Sequence, residues 1–399
     1  MLEGKKVSLY VTGGIAVYKV VDLMRTLIKA GAEVRVAMTE SATQFVSPLT
    51  FQILSKNEVY INTFAEEKPE QVNHIYLADW ADIAIVAPLT ANTLAKLANG
   101  IADNFVSSAL LATTSPIFTI PAMNENMLEN KATQANIETL RHRDIYVMDT
   151  DEGFLAEGYS GKGRFPDQRR ILDELRTFMR DKADYLPLKN KAVLVTAGGT
   201  KERIDPVRFI SNDSSGKMGH ALADAAFING ADVTLITSSS LPVSGNIKVI
   251  RVESADEMHE AVSSRFESSE VLIMAAAVSD YSPETISTKK MKKQDHMTLT
   301  FKKNKDILKE MGRRKKSSQC LVGFAAETDN IYEYAEKKLL EKNADLIVAN
   351  DIGKKDRGFN VDQNEVIFFS NQHEPQIIPL KAKKEVAQDI IDWIVEFTD

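Results

Sequence analysis

The feature that most constrains this chain is a layout that occurs twice. Residues 5–39 (KKVSLYVTGGIAVYK…KAGAEVRVAMT) and 191–237 (KAVLVTAGGTKER…INGADVTLIT) each read as a short apolar strand, a Gly-Gly turn, a helix, and a second strand that opens with Gly, Ala and an acidic residue. Apolar strands alternating with amphipathic helices can be buried on both faces only in a parallel sheet covered on each side. The expected fold class is therefore α/β, with two doubly wound, mostly parallel-sheet, Rossmann-like domains, and 399 residues suffice for two such domains.

Further strands are expected at 83–87, 117–120, 271–275 and 346–349, and helices at 20–30, 90–99, 217–229 and 330–343. The polar stretch RDKADYLPLKNK around Pro187 reads as a linker, which divides the chain into domains 1–187 and 188–399. Segment 285–305 (TISTKKMKKQDHMTLTFKKNK) breaks the pattern. Eight of its 21 residues are charged, seven of them lysine, so it is expected to form a loop and hairpin arm outside the sheet. Loops at the carboxyl ends of strands form the ligand site in folds of this kind.

Composition excludes several other classes. The single cysteine, Cys320, and six scattered histidines leave no disulfide scaffold, thiolate zinc site or iron–sulfur cluster. A net charge of −7 argues against nucleic acid or an anionic membrane as the main partner. No stretch approaches the roughly 18 apolar residues of a membrane span, and the N-terminus lacks an export signal. A cytoplasmic location is expected.

A Gly pair after a buried strand lets the backbone approach a phosphate, and the following helix aims its N–H groups at it. Neither Thr12-Gly13-Gly14-Ile15-Ala16 nor Ala197-Gly198-Gly199-Thr200 is a G-x-G-x-x-G, so the dinucleotide fingerprint fails twice, which opposes a nicotinamide dehydrogenase. The run Ser214 to Gly219 has Met218 where a P-loop needs Ser or Thr, and is no Walker motif. By itself a Gly pair is equally a tight turn without a ligand.

Several separated motifs narrow the reading. VTGGIAVYK (11–19), NHIYLADWAD (73–82), PLTANT (88–93) and PAMNENM (121–127) resemble the flavin-dependent cysteine decarboxylase family. GGTKERIDPVRFISNDSSGKMG (198–219), AAAVSDY (275–281), KMKK (290–293) and GFAAET (323–328) resemble phosphopantothenate cysteine ligases of the bacterial, CTP-using type. Both sets in this order on one chain resemble the bifunctional decarboxylase and ligase family of coenzyme A biosynthesis. The resemblance implies a flavodoxin-like first domain, and FMN, CTP and magnesium (or manganese) as cofactors and co-substrate. It also implies 4′-phosphopantothenate and cysteine as substrates. A homo-oligomer is implied too, with trimeric decarboxylase contacts around FMN and dimeric ligase contacts, which together allow a dodecamer.

For the decarboxylase, the resemblance implies that FMN supplies an electron sink by oxidising the substrate thiol, which a carboxylate on an unactivated carbon requires. His74 matches the histidine that assists thiol deprotonation, although a histidine bonded to a neighbour is the ordinary alternative. Asn124 matches the asparagine that binds the substrate carboxylate. Gly13, Gly14, Ile15, Ala16, Thr39, Thr90, Ala91, Asn92, Thr93, Ser107 and Ala122 carry over as FMN contacts. Thr90 replaces a serine and keeps its hydroxyl; Leu128 stands where an aromatic is usual.

For the ligase, which activates the acid as an acyl cytidylate, Lys290 matches the essential lysine that neutralises phosphate charge. A lysine run is otherwise usually a solvated arm. Asn212 matches an asparagine implicated in turning over the acyl cytidylate. Met274, Ala275, Ala276, Asp280, Lys305, Asp306, Ile307, Leu308, Phe324, Lys338 and Lys342 carry over as CTP contacts, with Lys305 in place of a proline. Lys338 and Lys342, four apart, share one helix face and are expected to grip one triphosphate. The metal ligands are not indicated.

One departure matters. The family's flap carries a cysteine that donates a proton after decarboxylation, in a stretch like G-x-x-A-C-G followed by G-x-G-R. Here the chain reads Gly153-Phe154-Leu155-Ala156-Glu157-Gly158 and then Gly161-Lys162-Gly163-Arg164, which places Glu157 at the acid's position. Two readings follow. Either Glu157 is the acid, as against a residue that merely faces solvent on a Gly-rich loop, or the first half is a flavin-binding structural or regulatory module attached to an active ligase.

Overall fold

The computed structural model describes residues 2–65, 71–292, 296–327, 329–351 and 362–398; Lys293 of the lysine run and Thr328 of GFAAET lie outside them. The chain divides into two units, Met1–Lys182 and Ala183–Asp399.

In the first unit, strands β1 (Lys6–Val11), β2 (Glu33–Met38), β3 (Val59–Tyr60), β4 (Ile83–Leu89), β5 (Ile117–Pro121) and β6 (Tyr146–Val147) form one parallel sheet in the order β3-β2-β1-β4-β5-β6. Without the two-residue edge strand β3, the remaining five run 2-1-3-4-5 in chain order, the flavodoxin arrangement. Alternation along β1 explains the layering. Val7, Leu9 and Val11 pack with the Val17–Lys29 helix on one face, while Tyr10 joins Leu94 and Phe105 on the other. That helix buries Val17, Val20, Leu23, Met24 and Leu27, a stripe of helical spacing. After the sheet, β7 (Asp151–Phe154) and β8 (Ser160–Arg164) form an antiparallel hairpin, and the Gln168–Asp181 helix returns Ile171, Leu175 and Phe178 to the first face.

The second unit holds β9 (Ala192–Ala197), a hairpin of β10 (Lys201–Asp205) and β11 (Arg208–Ser211), then β12 (Asp232–Thr237), β13 (Lys248–Arg251) and β14 (Val271–Met274). A second hairpin, β15 (Tyr281–Pro283) with β16 (Phe301–Lys303), precedes β17 (Cys320–Glu327), β18 (Leu346–Asp351), β19 (Gln363–Ser370) and β20 (Gln376–Ala382). The main sheet runs β13-β12-β9-β14-β17-β18-β19-β20, parallel through β18 and antiparallel beyond it. The lysine-rich segment leaves this sheet, as its polarity required, and contributes β16 to the separate hairpin.

In both units the strand with the Gly-Gly turn lies where the chain switches its direction of travel across the sheet. β1 sits between β2 and β4, and β9 between β12 and β14. Connections leave such a point on opposite faces and open a crevice at the carboxyl ends of the strands.

The unit boundary falls between Lys182 and Ala183, before the expected position after Pro187. Leu188 is buried, its N–H donates to Asn229 O at 2.9 Å, and Leu186 packs against Gly230, so the segment belongs to the second unit's core. A fragment of residues 183–399 is expected to be soluble and to unfold in urea in one transition. A fragment starting at Lys191, which lacks the buried Leu188, is expected to be less stable by about 2–3 kcal/mol. Equal midpoints for the two would show that 183–190 contributes nothing to this core.

Candidate active sites

In the first unit the switch point opens into a cavity of roughly 910 Å³, within the usual range for a cofactor site. Its lining includes Gly13, Gly14, Ile15, Ala16, Thr39, Thr90, Ala91, Asn92, Thr93, Ala122, Asn124 and Glu157. The sequence scatters these over more than 140 positions, and the strand ends bring them together. Thr12, buried beneath the turn, stitches the β1 and β4 ends: its Oγ1 donates to Pro88 O at 2.5 Å and accepts from Thr90 N at 3.1 Å.

The Gly-Gly side of the cavity is built by conformation. A side chain at Gly13 would run into the backbone of Ser41, so the turn lies flat against the Thr39–Ala42 segment. The Val17–Lys29 helix, with Ala16 at its N-cap, has no side-chain cap and no acidic residue in its first turn; Val17 N and Lys19 N donate to Gly14 O and Ala16 O (both 3.0 Å), and the positive dipole end faces the cavity rim as a place for an anion. Thr39 and Thr90 cap the other two helices at this rim through Ala42 N (3.3 Å) and Thr93 N (3.4 Å).

The opposite wall is the β7–β8 hairpin. Asn124 caps the Glu125–Glu129 helix with Oδ1, accepting from Asn126 N at 2.9 Å, and this orients its amide N–H₂ toward the hairpin. There Nδ2 donates to Glu157 Oε1 at 3.0 Å and to Tyr159 Oη at 2.7 Å. The hairpin is held down by Lys162 N to Glu125 Oε1 (3.1 Å) and Met123 N to Gly163 O (3.0 Å). At Gly163, with φ +105°, any side chain would collide with Met123 O.

Sequence reasoning missed Lys19 and Arg164 in this wall, although both end motifs it had quoted. Lys19 Nζ donates to Phe165 O at 3.3 Å; burial and the Arg164 guanidinium lower its pKa. Tyr159 was also missed.

Two expected residues lie elsewhere. Ser107 is the N3 residue of a capping box with Asn104: its N–H donates to Asn104 Oδ1 at 3.0 Å and its Oγ accepts from Asn104 N at 3.1 Å. Only Asn104 of that box lines the cavity. His74 stands on the first turn of the Asn73–Trp80 helix, half-buried, with its ring edge-on to Phe105 at 6.3 Å and its Nδ1 without a hydrogen-bond partner among the described residues. It does not line the cavity of its own chain. Cys320 cannot stand in for a flap cysteine, being buried in the second unit's sheet with its thiol pKa pushed up by burial.

In the second unit, parallel register sets Met274 beside Gly323, so Ala275 and Ala276 leave β14 next to Phe324 of β17. The following residue folds back on the Gly turn through Ala277 N to Gly198 O at 2.9 Å. Asn212 Nδ2 reaches Ala277 O and Val278 O, both at 3.3 Å, while its backbone packs on Gly199. Asn304, unremarked in the sequence, ties Asp280 to Lys305: its N–H donates to Asp280 O at 2.8 Å and its Nδ2 to Ser279 O at 2.8 Å.

Asp306 caps the Ile307–Arg314 helix through Lys309 N (3.0 Å) and pairs with Lys342, and Lys338 Nζ donates to Phe324 O at 2.9 Å. Lys338 and Lys342 do share a face, directed at Phe324 and Asp306. Met274, Ile307 and Leu308 are buried in the core, so their main chains are what they can offer a ligand. Lys289 and Lys290 are exposed on the arm. Among the described residues no group of three or more His, Cys, Asp or Glu is placed to hold a metal, and no helix is long and apolar enough to cross a membrane.

Comparison with known proteins agrees with this division. Residues 1–180 match the Flavoprotein family model and residues 188–397 match that of the DNA/pantothenate metabolism flavoprotein C-terminal domain. The chain is 49% identical over 401 aligned residues to the coenzyme A biosynthesis bifunctional protein CoaBC of Bacillus subtilis (strain 168), covering 99% of this chain and 97% of that protein. It is 42% identical to CoaBC of Escherichia coli (strain K12), over 99% and 97% of the two chains. Among solved structures it is similar to the C-terminal domain of a CoaBC, with 41% identity, a TM-score of 0.46, and coverage of 53% of this chain and 97% of that one. A chain matched from end to end by such proteins, with a flavoprotein first half and a pantothenate-metabolism second half, belongs to the family of coenzyme A biosynthesis bifunctional proteins.

Proposed function

We propose that the chain converts 4′-phosphopantothenate to 4′-phosphopantetheine in two steps: the second unit joins cysteine through an acyl cytidylate made from CTP, and the first decarboxylates the phosphopantothenoylcysteine with FMN. The observation that carries this is the gathering of twelve expected decarboxylase residues around one cavity, in a chain whose relatives are bifunctional along their whole length. The reading of the first half as a mere flavin-binding module gains no separate support.

The residues of the cavity fit FMN. The uncapped helix start at Ala16 and the Gly13–Gly14 turn would take the phosphate, and Thr39, Thr90 to Thr93 and Ala122 would border the remainder. When bound, the flavin supplies the two-electron oxidation of the thiol that makes loss of carbon dioxide feasible. The chain's own part is to place the carboxylate and return a proton. Asn124 Nδ2 donates to Glu157 Oε1, and the same amide would hold the substrate carboxylate, so the Glu157 carboxyl would stand beside the carbon that carbon dioxide leaves. There it would deliver the proton as general acid.

In the second unit, Lys290 would neutralise charge on the reacting phosphate, Lys338 and Lys342 would face the triphosphate, and Asn212 would act on the acyl cytidylate. Magnesium would arrive with CTP, held mainly by phosphate oxygens and water.

Since His74 does not line the cavity of its own chain, its role would be served by a second copy, as in the trimeric contacts the resemblance implies. Each of His74→Asn and Asn124→Asp is expected to lose decarboxylase activity, and mixing them under conditions that exchange subunits is expected to restore part of it; no recovery in verified mixed oligomers would place both residues in one subunit's site.

For Glu157 the expected outcome is sharper. Glu157→Gln should slow complete turnover by about 10²-fold and accumulate the decarboxylated enethiol, read by mass, whereas Glu157→Cys should restore turnover. A Glu157→Gln variant as fast as the parent would move the proton donor elsewhere.

A further inference from the structure

The lysine-rich arm is polar and exposed, and its composition does not fix its course, yet its main chain is held on both sides of Lys290. On the N-terminal side, Ser287 N donates to Ile204 O at 3.0 Å and Ser287 Oγ donates to Lys289 O at 2.6 Å. On the C-terminal side, Met291 N donates to Asp205 Oδ2 at 3.1 Å, and Met291 O accepts from Arg208 Nη2 at 3.0 Å. Both main-chain groups of the residue after Lys290 thus end on one ion pair.

That ion pair does more than its local turn requires. Asp205 is fully buried at the end of β10, and its Oδ1 accepts from Val207 N and Arg208 N, both at 2.9 Å, which is enough to close the β10–β11 turn. Its other oxygen, Oδ2, takes Arg208 Nε at 2.9 Å and the arm's Met291 N. Arg208 and these backbone donors hold the carboxyl far below the usual range, so the anchor stays ionised wherever the enzyme works.

The geometry points to Asp205 as a positioning residue for the ligase reaction, whose carboxylate, together with Arg208, fixes the main chain at Met291 and hence the point from which Lys290 reaches the reacting phosphate. This rests on the ligase reading and on the role of Lys290 in it. A lysine carries four rotatable side-chain bonds, and a loose root would add the freedom of a whole arm to theirs; a displacement of about 1 Å in a positioned group is enough to cost about 10²-fold in rate. β11 leads directly to Asn212, so one hairpin sets the frame for the residues assigned to both halves of the ligation.

The test measures pyrophosphate release from CTP and 4′-phosphopantothenate by the full chain, with enzyme in excess so that slow turnover is resolved. The variants are Asp205→Asn, Lys290→Ala, their combination, Lys289→Ala and Ser287→Ala. Asp205→Asn is expected to lower the rate by about 10²-fold with little change in the KM for CTP, and to cause no further fall in the Lys290→Ala background, because it acts through Lys290. Ser287→Ala, which removes a hydroxyl and leaves the hairpin intact, is expected to slow the same step by about 3–10-fold and likewise to add nothing to Lys290→Ala. If Asp205→Asn does not fold, this second pair carries the test. An Asp205→Asn variant at the parent rate, or losses that multiply with Lys290→Ala, would overturn the positioning role. If Lys290→Ala itself runs at the parent rate, or Lys289→Ala behaves identically to it, the ligase assignment of Lys290 fails instead.

Discussion

Everything this protein does depends on a constraint of parallel sheets: a strand whose neighbours are reached in opposite directions must leave a gap beyond its carboxyl end. β1 and β9 are those strands, and each is followed by a Gly-Gly turn that keeps the gap open at the backbone. Around β1 the gap becomes the cavity lined by Gly13, Thr39, Thr90 and Ala122. Around β9 it becomes the region where Ala275 to Ala277, Asn212 and Phe324 converge. The apolar layers on the two sheet faces matter for function mainly because they hold these strand ends in register.

The sheets supply cradles, and hairpins outside them present the groups assigned to chemistry. Glu157 sits on the turn between β7 and β8, tied to the scaffold through Glu125, Met123 and Asn124. Lys290 sits on the arm between β15 and β16, tied through Ile204, Asp205 and Arg208. In both cases directed hydrogen bonds to main-chain atoms do most of the positioning, although Glu157 Oε1 itself also accepts from Asn124 Nδ2. Since hydrogen bonds to charged groups are worth roughly 1.5–3 kcal/mol, the carboxylates of Glu125 and Asp205 are well suited as anchors.

Much of this was legible in the sequence because its signals are local. The strand, Gly-Gly turn and helix units and the polar arm follow from periodicity and composition, and most of the cavity lining follows from what the resemblance of the contiguous motifs implies. What escaped was non-local or alternated within a motif. Asp205 and Met291 are 86 positions apart, and nothing in either segment announces the other. Met274, Ile307 and Leu308 share motifs with exposed residues, but strand and helix periodicity turns their side chains into the core. Thr12 and Asn304 carry no signal of their own until the segments they join are seen together. His74 was expected from its motif, and the single chain does not bring it to the cavity.

The central claim, that both units are catalytically competent in one chain despite Glu157 at the flap, is tested most directly by following a single mixture of the protein with FMN, 4′-phosphopantothenate, cysteine, CTP and magnesium by mass over time. The account predicts that phosphopantothenoylcysteine appears first and then gives way to 4′-phosphopantetheine. A reaction that halts at phosphopantothenoylcysteine, with flavin bound, would contradict it.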